Sequence, residues 1–149
     1  LVGARNLARA ADAGEREPGH ADVAREMIVA WDPDVVFVDL STLQLGEGRG
    51  GLHELRTDPA YRTLTAVREG RVHGLLPYNW YARNFGSVLA NAYFVGKTLY
   101  PERFADVDPV ARADAIYEFL VGEPVFARMQ EAFQGLVFQP LPVREHALR

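Results

Sequence analysis

The stretch Arg71-Val72-His73-Gly74-Leu75-Leu76-Pro77-Tyr78-Asn79-Trp80-Tyr81-Ala82-Arg83-Asn84-Phe85 contains the transition that decides the fold. Its first six residues, Arg71 to Leu76, predict a buried strand that Pro77 closes. The segment then leads into the longest predicted helix, from about Arg83 to Tyr100, with Pro101 marking its end. A strand that passes through a short connection into a long helix is typical of an α/β layer structure.

A second apolar run lies upstream of this transition. Val35-Val36-Phe37-Val38 is a continuous β-branched and aromatic run, which suits a strand covered on both faces in a parallel sheet. A helix is expected before it, from His20 to Trp31, and Asp32-Pro33 ends that helix because the residue before proline leaves the helical region. Leu1 to Ala4 is a candidate third strand.

Helical patterns and loop signals separate and follow the two strands. The spacing predicts a loop over Ser41–Gly51, a short helix over Leu52–Arg56, one helix from Asp58-Pro59 through Leu64 to about Arg68, a helix from Asp108-Pro109 through Leu120, and a last helix over Pro124–Phe133. The helix ending at Leu120 places Val110, Ala113, Ile116, Tyr117 and Leu120 on one apolar stripe. The alternation predicts a three-layer α/β/α lobe with a small, mainly parallel central sheet.

Composition narrows the classes of function. The chain has 149 residues, enough for one domain, and a net charge of -4 with dispersed basic residues, which argues against nucleic-acid binding. It has no cysteine, so disulfides, thiol catalysis and cysteine-ligated metals are excluded. No nucleophile motif or zinc-ligand histidine spacing is present, and we expect no enzymatic activity. The chain begins at Leu1 without Met, and we interpret it as a fragment whose natural start lies upstream.

A glycine-rich stretch and a histidine are possible functional motifs, but the surrounding sequence argues against a functional role for either. Gly46-Glu47-Gly48-Arg49-Gly50-Gly51 formally matches the GxGxxG phosphate loop. However, its first glycine lies several residues past the strand, and Asp58-Pro59 soon interrupts the following helix. A flexible loop is therefore favoured, and nucleotide binding stays open as the alternative. His73 lies inside a predicted strand, where we expect a satisfied structural role.

The segment after the second strand is the most informative one for function. It concentrates three large aromatic residues, two amides and one arginine, namely Tyr78, Trp80, Tyr81, Asn79, Asn84 and Arg83. In open α/β sheets, ligands bind just outside the carboxyl ends of the strands. Aromatic rings offer flat, weakly hydrated surfaces, and arginine pairs with anionic oxygens. The alternative is that Trp80 and one tyrosine simply pack the lobe.

An ordered series of motifs carries a family resemblance. Five segments resemble, in the same order, segments of one protein family. Leu1–Asn6 resembles the piece that opens the second lobe of that family, and Trp31–Val38 resembles the entry to a strand. Asp58–Val72 resembles a helix-and-strand block, Pro77–Trp80 a ligand-contacting segment, and Tyr93–Glu102 the end of a helix. The family is that of the ABC-transporter substrate-binding proteins for iron–siderophore, cobalamin and related complexes. Residues 1–149 resemble the C-terminal lobe alone, with the N-terminal lobe and the linking helix absent.

The resemblance implies a ligand and its site. It implies a non-catalytic protein that captures a ferric siderophore, haem or corrinoid chelate in an inter-lobe cleft, with no cofactor of its own. The metal is expected to be wrapped by its chelator rather than ligated by the protein, and ligation through Tyr78 or Tyr81 is the disfavoured alternative. By position, Tyr78, Asn79, Trp80, Tyr81 and Arg83 are the cleft residues, and Asn84 is a weaker candidate. Open alternatives are a chelatase-like or nucleotide-binding enzyme domain, and a module that kept the fold and lost the ligand.

The resemblance also implies a partner and a place in the cell. The loaded protein would dock on an ABC permease in the membrane, and an exposed acid on each lobe would face the permease. Glu47 and Glu54 are candidates for that acid. The expected location is periplasmic or extracytoplasmic, with anchoring through an upstream signal or lipid.

Overall fold

A parallel pair of strands forms the centre of the molecule. The computed structural model describes residues 2–10, 23–45, 48–79 and 82–143. Strand β1, Val36–Asp39, pairs in parallel with strand β2, Val72–Leu75, and Val36 lies opposite Val72. Both strands fall where their apolar runs predict them. The expected α/β class with a small parallel sheet is confirmed, and two strands form the sheet within the described residues.

Six α-helices lie within the described ranges. They are α1 Arg25–Trp31, α2 Gly51–Thr57, α3 Thr65–Arg68, α4 Phe85–Leu99, α5 Pro109–Val121 and α6 Phe126–Ala132, with 3-10 turns at Leu7–Ala10, Leu40–Leu45 and Tyr61–Thr63. Local chemistry sets several of their ends. Asp108 accepts hydrogen bonds from the first free N–H groups of α5, and Gly122 ends that helix at φ 85°. Asp32 ends α1 in the left-handed region, at φ 40°.

Helices cover both faces of the sheet. On one face, the rings of Phe37 and His73 lie against Phe94 of α4, with centroids 6.3 and 5.8 Å from the Phe94 ring. On the opposite face, Val38 is buried in a core that includes Leu52 and Leu55 of α2. Successive side chains of a strand point to opposite faces, so the two neighbours Phe37 and Val38 serve different layers.

The C-terminal tail covers the outer edge of β2. The amide of Gly74 donates to the carbonyl of Gln139 at 3.1 Å, and the Gly74 carbonyl accepts from the amide of Phe138 at 2.9 Å. The amide of Leu141 donates to the carbonyl of Val72 at 2.8 Å. The tail thus satisfies the backbone groups of β2 that face away from β1.

The structure differs from the sequence expectation in the two connections that flank α2. The single helix expected from Asp58 to Arg68 is wrong, because Leu64 is extended and separates a 3-10 turn from α3. The carboxylate of Asp32, distant in sequence, accepts from the amide and hydroxyl of Thr65 at 2.6 and 2.7 Å and so starts α3 anew. The loop expected from Ser41 begins as a 3-10 turn that fully buries Leu40.

The N-terminal expectations are only partly covered by the described residues. Leu1 lies outside them, and residues 2–6 are irregular rather than a third strand. Residues 20–22 of the expected first helix also lie outside, and the helix is seen from Arg25 onward.

Candidate functional site

The exit of β2 is held against α4 by one buried amide side chain. Asn91, 5% exposed, accepts a hydrogen bond from the amide of Leu76 at 3.0 Å and donates one to the carbonyl of Leu76 at 2.9 Å. These two bonds satisfy backbone groups that have no strand to pair with. The chain therefore leaves the sheet at a defined point, and the segment that follows starts from a rigid support.

Asn84 closes the segment that begins at Tyr78. The backbone N–H of Asn84 donates to the backbone carbonyl of Tyr78 at 2.7 Å, which holds the two ends of the segment together. Its side-chain oxygen accepts from the amide of Ser87 at 3.1 Å and caps α4. The hydroxyl of Tyr117 from α5 donates to the same oxygen at 3.4 Å and lies 2.8 Å from the hydroxyl of Ser87. The Asn84 oxygen is thus engaged within the fold.

The structure brings the described candidate residues to one end of the sheet. Tyr78 is half-buried, whereas Asn79, Arg83 and Asn84 are exposed. Trp80 and Tyr81, which the sequence also singles out, lie outside the described residues. We refer to residues 78–84 as the site loop; it joins the carboxyl end of β2 to the N-terminus of the 15-residue helix α4.

The site loop carries one basic side chain next to the N-terminus of a helix. The N-terminus of an α-helix carries partial positive charge, and its first N–H groups point outward. Arg83 is exposed, directly precedes the cap residue Asn84 in the sequence and carries a full positive charge. Arginine pairs bidentately with carboxylate-like oxygens. Arg83 thus brings one positive charge to the end of the sheet at which the carboxylate of Asp39 also lies.

Asp39 is an acidic residue at this end of the sheet, and it is not among the site residues that the sequence predicts. It is the last residue of β1 and pairs with Leu75, close to where β2 leads into the site loop. Its Oδ1 accepts from the amide of Ser41 at 2.8 Å, and its buried Oδ2 has no hydrogen-bond partner among the described residues. Its position directly after the apolar run of β1 is the sequence signal that could have identified it as a residue at the carboxyl end of the sheet.

His73 packs as an aromatic residue within the sheet. Its ring centroid lies 5.8 Å from those of Phe37 and Phe94, and desolvation lowers its pKa. The expected structural role is therefore supported by the packing. The further expectation that the hydrogen-bonding groups of this side chain are satisfied is not supported, because the buried Nδ1 has no hydrogen-bond partner in the described part of the chain.

The described part of the glycine-rich stretch does not follow directly on a strand, as the glycines of a dinucleotide site do. The six-residue turn Leu40–Leu45 intervenes between β1 and the glycines, and Gly46 and Glu47 lie outside the described residues. Gly50 precedes α2 at φ 87°, and a Cβ there would collide with the side chain of Thr42. Steric demand thus accounts for Gly50 without a phosphate.

Other expected contacts can be located only in part. Glu54 is exposed on α2, whereas Glu47, the other candidate docking acid, lies outside the described residues. Within the ranges described, no three His, Asp or Glu side chains are grouped so that they could hold a metal ion. None of the helices in those ranges combines the length and hydropathy needed to cross a bilayer.

Three structural features characterise the site loop. It has a fixed exit from β2, a closing bond between Asn84 and Tyr78, and one cation beside a helix N-terminus. No protein-family model matches this chain, and no curated protein matches it.

Proposed function

We propose that the chain is the C-terminal lobe of the substrate-binding component of an ABC importer. In this proposal, it captures a ferric siderophore or a related metal chelate in a cleft between two lobes and delivers it to a membrane permease. The observation that carries the proposal is the site loop, which places Arg83 and the N-terminus of α4 at the carboxyl end of a parallel strand.

The proposed binding chemistry divides between charge and apolar contact. Hydroxamate, catecholate and carboxylate oxygens of a chelator carry negative charge, which Arg83 can stabilise. The half-buried ring of Tyr78 supplies an apolar surface, and Trp80 and Tyr81 are proposed to extend it. The metal arrives wrapped by its chelator, so recognition acts on the outside of the complex.

The proposed delivery step uses the side of the lobe that carries α2. Glu54 is exposed there and is the described candidate for pairing with basic residues of a permease. Such a rim charge acts mainly on the rate of association and on its salt dependence. The proposed location is periplasmic or extracytoplasmic, where such a receptor meets its ligand before the permease.

A fluorescence titration of the two-lobed protein that contains this lobe tests the proposal. The ligand panel comprises ferric hydroxamate and catecholate siderophores, haem, cobalamin, ATP and NAD. Trp31 and Trp80 report on binding, and Trp80→Phe separates their signals. We expect saturable binding of one metal chelate and a loss of about tenfold or more in affinity for Arg83→Ala, because a charge-assisted hydrogen bond contributes roughly 1.5–3 kcal/mol.

A second arginine provides the matched control. Arg128 is exposed and binds Glu123 at 2.6 Å, away from the site loop in sequence. Arg128→Ala should leave the chelate affinity unchanged, which separates a local effect of Arg83 from a general loss of positive charge. Binding of ATP or NAD without a response to any chelate would overturn the receptor proposal and favour a nucleotide-binding enzyme domain.

A further inference from the structure

Helices α4 and α5 form an antiparallel pair whose outer face exposes several large apolar side chains. Tyr117, near the end of α5, packs by Ser87 at the start of α4, and the guanidinium of Arg112 lies 5.7 Å from the ring centroid of Tyr93. On the outer face, the side chain of Phe119 is 88% exposed, and Leu89 and Leu120 are also exposed. The apolar stripe expected on α5 is thus only partly used by the core of this chain.

An open groove runs between the two helices on this face. Its volume is about 300 Å³. Leu89 and Tyr93 of α4 form one wall, Ile116 and Leu120 of α5 the other, and Arg112 and Phe119 also line it. A single exposed apolar side chain is ordinary, but a nearly bare phenylalanine at the rim of an apolar groove forms a contiguous patch of the kind that marks a binding surface.

The patch carries both halves of a self-complementary surface. Phe119 protrudes, and the groove beside it is of a kind that accepts an apolar side chain. Ala115 is exposed, and Arg112 and Glu118, both exposed, lie three residues before and after it on α5. A twofold axis at Ala115 that pairs two α5 helices in antiparallel fashion would place Arg112 of each copy opposite Glu118 of the other.

We propose that the α4–α5 face binds a second copy of this chain. Phe119 of each copy then enters the groove of the other, and two Arg112–Glu118 pairs flank the axis. An isologous contact requires one surface patch that complements itself in shape and charge. This patch meets both requirements, because the α4–α5 groove can receive Phe119 and α5 carries both Arg112 and Glu118. A second copy is therefore favoured over an unrelated partner. The inference does not depend on the proposed ligand.

Charge exchange tests the interface directly. Sedimentation equilibrium of the purified protein should show a monomer–dimer equilibrium. Arg112→Glu and Glu118→Arg should each weaken the dimer by about tenfold or more, since each places like charges together across the axis. The double variant Arg112→Glu/Glu118→Arg should restore dimerisation, because it exchanges the two charges without changing their pairing.

Removal of the protruding ring gives a second, independent arm. Phe119→Ser should weaken the dimer by about tenfold or more while the thermal unfolding of the monomer stays unchanged, because the ring is exposed in the monomer. Met27→Ser, at an exposed apolar position of α1, is the matched control and should leave the dimer intact.

Three outcomes would overturn the second-copy proposal. They are a wild-type protein that stays monomeric at every concentration, a double charge variant that does not regain the dimer, and an unaffected dimer in Phe119→Ser. A monomer would leave the face to another partner, such as a companion lobe. Chelate titration of Phe119→Ser separates the two proposals, since retained chelate binding by a monomeric variant leaves the proposed function standing.

Discussion

Asp32 joins two distant segments of the chain through its carboxylate. It ends α1 in the left-handed region and accepts two hydrogen bonds from Thr65, 33 residues later. Asp tolerates the left-handed conformation better than most residues, and its short side chain caps helices well. The hydrogen bonds from the backbone amide of Thr65, and then from its hydroxyl, lower the pKa of Asp32.

The lowered pKa makes Asp32 a source of acid sensitivity. The stabilisation is fully present above the pKa of the unfolded chain, about 3.9, and is lost as pH falls through the lower pKa of the folded state. We expect Asp32→Asn to be less stable than wild type near neutral pH and to lose less stability on acidification. Urea unfolding across acidic and neutral pH measures both effects.

Asp34→Asn is the control for this pH experiment, because Asp34 is an exposed acid two residues away. Acid sensitivity that persists in Asp32→Asn should be reduced further by removing Asp58, whose pKa is lowered chiefly by the hydrogen bond that the Arg25 side chain donates to it. An unchanged pH profile in Asp32→Asn would contradict the assignment of the cap to Asp32.

Asparagines illustrate how far single residues could be assigned from the sequence. The sequence makes Asn84 a candidate ligand contact in the site loop, and in the structure its side-chain oxygen caps α4. Asn91 has no distinguishing signal in the sequence of α4, yet its side chain fixes the exit of β2. A buried amide and an exposed one look alike in a sequence, since the difference depends on which backbone groups pack beside them.

Strand β2 lies between two neighbouring backbone segments. It is paired with β1 on one side and with the tail on the other. At Gly74, a Cβ would collide with the carbonyl oxygen of Leu136 and would lie 3.0 Å from Leu40 and 3.2 Å from Leu141. A glycine inside a strand often marks such a close approach of a second backbone.

Gly74→Ala should therefore destabilise the fold, although alanine is the better residue elsewhere. We expect a loss of about 1–3 kcal/mol in the free energy of unfolding, because the tail backbone must move to admit the methyl group. Gly51→Ala is the matched control, since its Cβ would lie 3.7 Å from Val38, an ordinary contact, and alanine favours helix α2.

Urea unfolding of both variants measures the difference. The control should be as stable as wild type or more stable by up to about 1 kcal/mol. Equal stability of Gly74→Ala and wild type would show that the tail does not lie against β2 as described.

The whole molecule depends on its C-terminal tail to complete the sheet and the core. Val137 is fully buried, and Phe138 stacks on Phe94 of α4 with ring centroids 4.5 Å apart. The tail also supplies the outer backbone partners of β2. A two-stranded sheet is marginal by itself, so this cover is expected to contribute much of the net stability.

A chain that ends at Gly135 should therefore lose cooperative unfolding. This truncation removes Val137 and Phe138, which leaves one edge of β2 without backbone partners and a cavity in the hydrophobic core. Circular dichroism with urea unfolding measures the effect. A chain that ends at Val143 keeps every described tail contact and should unfold like wild type, and a stable, cooperative chain ending at Gly135 would contradict the role given to the tail.

The sequence by itself determined the elements whose signals are local. The apolar runs located β1 and β2, and Asp108-Pro109 and Gly122 bounded α5, because caps, prolines and β-branched runs act on neighbouring residues. The same reasoning located the site loop, since a parallel strand that leads into a helix defines one end of a sheet.

Only the tertiary structure decided how these elements use their surfaces. It showed that Asp32 starts α3, that the tail covers β2 and that Phe119 stays exposed. The physical reason is that an apolar pattern states which side chains avoid water, whereas the partner that covers them is set by contacts far apart in sequence. The same rule applies to Asp39, since the partners of its carboxylate depend on what surrounds the end of the strand; among the described residues, its Oδ2 has none.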